Sequence, residues 1–168
     1  MKPKKLSKFQ KFLLFCLALF AIHRIWFRAP SEAEMIAKFH QHKAEFEQIR
    51  LMLQQDKNVA AIGSDWVRAE WDEKKDRDFP LNVSEERLRL YRSRLKKLGV
   101  STAVSLRDGR SQFSQFGGGF ADTTWGIGYF YSEKTPTPLV KSAYKQRPPR
   151  DNRCYSRIES HWYIFQSR

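Results

Sequence analysis

The chain has 168 residues, 41% of them hydrophobic, with 31 basic residues against 18 acidic and a net charge of +13. Residues 1–30 hold seven basic and no acidic residues, 31–133 hold sixteen of each, and 134–168 hold eight basic against two acidic. The excess is therefore a membrane-flanking segment plus one basic loop, which argues against a nucleic-acid partner. Cys154 is the only cysteine after residue 30, so a disulfide within that part is excluded.

Lys2, Lys4, Lys5, Lys8 and Lys11 precede an apolar run from Phe12 to Ile22, and no acidic residue occurs before Glu32. As a helix that run covers roughly 16 Å, the length of a signal-peptide core. Counted from Phe9 to Phe27 it reaches roughly 28 Å, enough to cross a hydrocarbon core, with Trp26 at the interface. No signal-peptidase site is good: Ala21 has Leu19 at −3 and Ala29 has Phe27. Residues 1–30 are expected to be an uncleaved signal-anchor with residues 9–27 in the inner membrane. The lysines hold the N-terminus in the cytoplasm, and residues 31–168 form one periplasmic domain. A cleaved signal that leaves a soluble periplasmic protein is the alternative, and a buried helix in a soluble protein a third.

Pro30-Ser31 opens the first helix of the domain, with Ser31 and Glu34 as a capping box. Met35, Ile36, Phe39, Phe46, Ile49 and Leu53 recur at helical spacing as far as Gln55. Val59 to Ile62 is a short strand. Gly63 to Pro80, with Trp66, Val67 and Trp71, is expected to be an ordered loop. Ser84 caps a second helix whose stripe is Leu88, Tyr91, Leu95 and Leu98, and Gly99 ends it. The other side carries Arg87, Arg89, Arg92, Arg94, Lys96 and Lys97, expected as a solvated face.

Ala103 to Leu106 leads into Asp108-Gly109, a two-residue hairpin signal, and Gln112 to Phe116 returns. Gly117-Gly118-Gly119 is expected to break the chain as a flexible connection, since no Gly-Lys-Ser/Thr follows to make a phosphate loop. Trp125 to Tyr131 is a third strand with Ile127, Tyr129 and Tyr131 on one face. Thr135 to Pro138 is a turn. Tyr155–Ile158 and Trp162–Phe165 close the chain as a strand pair or one bent strand. Helices before strands imply an α+β domain, two helices packed on a small antiparallel sheet behind the N-terminal membrane helix.

One resemblance emerges along this order. A membrane segment is followed by Phe46-x-x-Ile49-x-x-Met52-Leu53-x-x-Asp56, then Tyr91-x-x-x-Leu95-x-x-Leu98-Gly99. Gly128-Tyr129-x-Tyr131, Pro138-Leu139-Val140 and Tyr155-x-x-Ile158-x-x-x-Trp162-Tyr163-x-Phe165 come after. The pattern resembles a group of small uncharacterised membrane proteins of proteobacteria and covers most of residues 40–166. The resemblance implies an envelope location and brings no activity, cofactor or catalytic residue.

Candidate sites are few. His40 and His42 lie two apart on a helix and point about 200° from each other, so they cannot grip one metal, and no metal or cofactor is expected. Glu159 and His161 on one strand would share a face and form a carboxylate–imidazole pair. Cys154, beside Arg153 and near Arg157, is the one thiol that could pair with His161 as a nucleophile, against the plain reading of a buried cysteine. The basic loop over 134–157 offers Lys141, Lys145, Arg147 and Arg150 as a contact for anionic lipid or for an envelope protein, against the plain reading of a solvated connection. The leading expectation is a non-enzymatic binding module, and the alternative a small envelope hydrolase using Cys154 or His161.

Overall fold

A computed structural model describes residues 14–15, 28–72, 77–78, 80–120, 123–146, 148 and 153–167. The chain divides into two units, Met1–Pro30 and Ser31–Arg168, and the second carries the architecture that follows. Among the described residues no helix is long and apolar enough to cross a membrane. Apart from Leu14 and Phe15, the expected span 9–27 lies outside the described residues.

Helix α1 (Glu32–Gln55) starts where the sequence places it. The Ser31 hydroxyl accepts from the Glu34 amide at 3.3 Å, and the Glu34 carboxylate accepts from the Ser31 amide at 2.6 Å. The Glu34 amide of the first turn and the amide of the cap residue are thereby satisfied. Met35, Phe39, Phe46, Ile49, Met52 and Leu53 are buried along one side. Helix α2 (Glu85–Leu98) is capped by the Ser84 hydroxyl and ends at Gly99, which is left-handed with φ 56°. A Cβ-free residue suits that turn.

The sheet is larger than the small one expected. Its strands are β1 (Val59–Gly63), β2 (Val67–Ala69), β5 (Thr102–Ser105), β6 (Ser111–Phe120), β7 (Thr123–Tyr131), β8 (Leu139–Val140), β9 (Arg153–Glu159) and β10 (Trp162–Ser167). They form one eight-stranded sheet in the order β2-β1-β5-β6-β7-β10-β9-β8. Neighbours are antiparallel except β8 and β9.

Two expectations fail here. Gly63–Pro80 is not a loop throughout: it supplies β2 and a separate two-stranded ribbon, β3 (Trp71–Asp72) with β4 (Arg77–Asp78). Gly117-Gly118-Gly119 does not break the chain but pairs in β6 with Gly126, Trp125 and Thr124 of β7, after a register shift between Ser114 and Phe116. The reason is proximity. A Cβ on Gly117 would stand 2.8 Å from the Trp125 carbonyl oxygen, so glycine lets the strands close behind the irregularity. The hairpin at Asp108-Gly109 is present, with φ of 70° and 73° at those residues, but its turn is a three-residue 3-10 turn over Arg107–Gly109 rather than the two-residue turn expected.

The core lies between the sheet and the two helices. Phe39 and Phe46 of α1 meet Tyr129 and Trp162, with Phe46 and Tyr129 rings 4.6 Å apart and Phe39 and Trp162 rings 5.0 Å apart. Fully burying each such ring contributes about 1.5–3 kcal/mol. Ile127, Tyr129 and Tyr131 do face this core together, as the alternation predicts. The intervening Phe130 lies in a second cluster with Tyr155, Tyr163 and Phe165, and successive strand residues point to opposite faces.

Candidate functional site

The second cluster floors a groove of about 340 Å³, within the size range of ligand pockets. Phe130 of β7 and Tyr155 of β9 form its apolar base, their rings 5.0 Å apart. The β5–β6 hairpin brings Asp108 and Arg110 to one rim, 3.7 Å from each other. The chain after β7 brings Ser132 through Thr137 to the other rim, including Glu133 and Lys134. That second rim is ordered by its backbone: the Ser132 hydroxyl donates to the Lys134 carbonyl at 2.6 Å, and the Ser132 amide donates to the His161 carbonyl at 2.9 Å. Behind the floor, Arg157 lies 5.8 Å from the Tyr163 ring centre and donates to Thr135 at 3.4 Å. An apolar floor with charges of both signs at its rim suits a ligand segment with an apolar side chain between polar groups.

The sequence reading missed this groove. The signal was present in Tyr129-Phe130-Tyr131 and Trp162-Tyr163-Ile164-Phe165, which are apolar on both faces and mark strands covered on both sides.

The residues that the sequence offered for catalysis are dispersed. Cys154 is 2% exposed and faces the helical side of the sheet. Its thiol donates toward the carbonyls of Ala143 and Gln146 at 3.6 and 3.4 Å. Burial, and secondarily the charge of Glu32, pushes that thiol up from its ordinary value, away from the thiolate a nucleophile needs. His161 is exposed in the turn between β9 and β10 with φ 66°. Glu159 turns to α1 instead, binding Lys43 and lying 3.8 Å from His40 Nδ1. Its hydrogen bond and charge raise the Lys43 amine above its ordinary range. Among the described residues no cluster of three His, Cys, Asp or Glu side chains is arranged to hold a metal.

The basic loop is tied down. After β8, Ala143 is buried and Tyr144 half-buried, while Lys141 and Lys145 are exposed. Arg147 and Arg150 lie outside the described residues. Ser142 and Ser156 both donate to the Glu32 carboxylate, and the Tyr144 hydroxyl lies 2.9 Å from Met35 Sδ. Burial, then the charges of Glu32 and Glu34, pushes the Tyr144 phenol up.

The arginine-rich side of α2 is not a purely solvated face, which corrects the expectation. Arg87 donates to Asp56 at 2.9 Å and to Gln55 at 2.9 Å, while Arg94 and Lys97 both bind Glu45. These contacts pull the Glu45 carboxyl below its ordinary value. They join α2 to α1, which explains the basic excess on one side of α2 without a ligand.

No family model, no curated protein and no solved structure matches this chain.

Proposed function

We propose that the chain is a membrane-anchored envelope protein, held by residues 9–27 with its N-terminus in the cytoplasm. In this reading residues 31–168 form a periplasmic, non-enzymatic binding module. The observation that carries the binding reading is the groove with Phe130 and Tyr155 at its base and Asp108, Arg110, Glu133 and Lys134 at its rim. The anchor reading rests on the lysine-flanked apolar segment and on its resemblance to the proteobacterial membrane proteins. The hydrolase alternative draws no support from the site, since Cys154 is buried and Glu159 binds Lys43 of α1 rather than His161.

The test is site-specific photocrosslinking in intact cells, with the photoreactive residue at Thr135 on the rim or at Gln48 on the exposed side of α1. Thr135 should yield a discrete adduct that Gln48 does not, and Glu133→Lys with Lys134→Glu should abolish it. Equal adducts at both positions, or none at Thr135, would sink the binding reading.

A further inference from the structure

We propose that the β8 edge of the sheet seats on anionic phospholipid headgroups, and this rests on the reading of residues 9–27 as an anchor. The first observation is where the chain enters the domain. Glu32 is the first residue of α1, and its carboxylate accepts from Ser142, just after β8, and from Ser156 of β9. The β8 end of the sheet is thus fastened to the first turn of α1. Five chain steps separate Phe27 from Glu32, and even fully extended they reach about 17 Å. An anchored chain therefore keeps Glu32 within about 17 Å of the residue where the anchor ends.

The second observation is what that end exposes. Leu139 is 43% exposed, and Lys141 and Lys145 are exposed on either side of the buried Ala143. The Cys154 thiol and the Glu32 carboxylate hold the turn between the lysines, so both ammonium groups project from an ordered segment. One exposed apolar side chain followed by two exposed lysines matches an interface in which lysines meet phosphate and a leucine dips below it. Glu32 and Glu34, both in the first turn, are the opposing charges; Glu32 is engaged with Ser142 and Ser156, and Glu34 with Ser31. The third observation is topological. Among the described residues β8 pairs only with β9, so it ends the sheet. Edge strands are commonly covered or charged, and a headgroup layer covers this one. A tethered bilayer is favoured over an acidic protein because it is already present at high effective concentration.

The experiment uses the full chain in nanodiscs of phosphatidylcholine alone or mixed with phosphatidylglycerol, and follows amide exchange over residues 139–146. Exchange there should slow in the discs with phosphatidylglycerol and recover at high salt, where the screening length falls to about 3 Å. Each lysine near an anionic surface contributes about fivefold, so Lys141→Gln with Lys145→Gln should lower the seated population about 25-fold. Lys57→Gln, beyond the opposite end of α1, should change nothing. Exchange that is the same in both discs, in a chain that stays with them, overturns the headgroup contact and leaves the anchor intact. A chain that leaves discs of both compositions overturns the anchor and this proposal with it. Slowing that survives the double substitution overturns the assignment to these lysines.

Discussion

Gly128 of β7 is the position at which one methyl group should cost most. A Cβ there would stand 2.0 Å from the Phe113 carbonyl oxygen and 2.8 Å from a Phe165 ring carbon. The first neighbour is backbone of the paired strand β6 and cannot swing aside. To restore a contact of about 3.2 Å the strands must part by about 1 Å, which stretches two ladder bonds beyond hydrogen-bonding distance. Each bond contributes about 1 kcal/mol, and overpacking adds about 1–3 kcal/mol. Alanine returns about 0.4–1 kcal/mol by restricting the unfolded chain. The net expectation for Gly128→Ala is a loss of about 3 kcal/mol, or roughly 10 °C in Tm. Gly126, two residues earlier on the same strand, is the control. Its Cβ would meet only the Ser167 hydroxyl at 3.4 Å and the Phe116 carbonyl at 3.9 Å. Gly126→Ala should be neutral or up to about 1 kcal/mol stabilising. Both are read from urea unfolding of the full chain in detergent, followed by tryptophan emission. If Gly128→Ala unfolds within about 0.5 kcal/mol of wild type, or Gly126→Ala is the more damaging, the close approach of β6 and β7 is wrong.

Two further outcomes follow from buried polar groups. Cys154, in a Cys16→Ala background, should react with a thiol reagent on the order of 100-fold more slowly in the folded protein than in urea, because access requires local opening; a folded rate equal to the unfolded one would refute its burial. The phenols of Tyr91, Tyr129 and Tyr144 are pushed above their ordinary value, all by burial first, Tyr91 also by Asp56 and Tyr144 also by Glu32 and Glu34. Their stabilisation is full below about pH 10 and is lost above it, because the unfolded chain releases protons that the fold retains. Stability should then fall by about 1.4 kcal/mol per pH unit for each tyrosine. Tyr91→Phe should lower that slope by about a third, and a flat response from pH 10 to 11 would contradict the burial.

Both helices were legible because their signals are local. Ser31 with Glu34 and Ser84 with Gly99 mark ends through contacts three residues apart, and one apolar stripe per helix fixes the buried side. The Asp108-Gly109 hairpin is local in the same sense. The extent of the sheet was not legible, because pairing is a long-range fact. Gly117 to Gly119 read as a break by composition, yet β7 lies close enough that glycine is what the pairing requires. β8 has two residues and exists because β9 is beside it. The candidate sites divided likewise. Glu159 and His161 are neighbours in sequence, but the turn between the strands sends His161 into solvent while Glu159 reaches Lys43. The groove depends on Phe130 and Tyr155 meeting from strands separated by β10, which no spacing along the chain encodes.

The arrangement of polar contacts makes α1 a brace between the point where the chain enters the domain and the sheet. At its start Glu32 accepts from Ser142 and Ser156; midway Glu47 accepts from the Trp162 indole at 2.7 Å; just past its end Asp56 accepts from Arg87 and from the Tyr91 hydroxyl at 2.8 Å. Charge-assisted bonds of this kind exceed neutral ones, and a buried donor left without its acceptor costs about 1–3 kcal/mol, so the brace resists sliding along its length. β9 then joins brace to groove through adjacent residues. Ser156 faces α1 and holds Glu32, while Tyr155 faces the other way and forms the groove floor. In the proposed reading, a load applied by a bound partner passes from Tyr155 to Ser156 through one peptide unit and reaches the first turn of α1 without crossing a flexible loop.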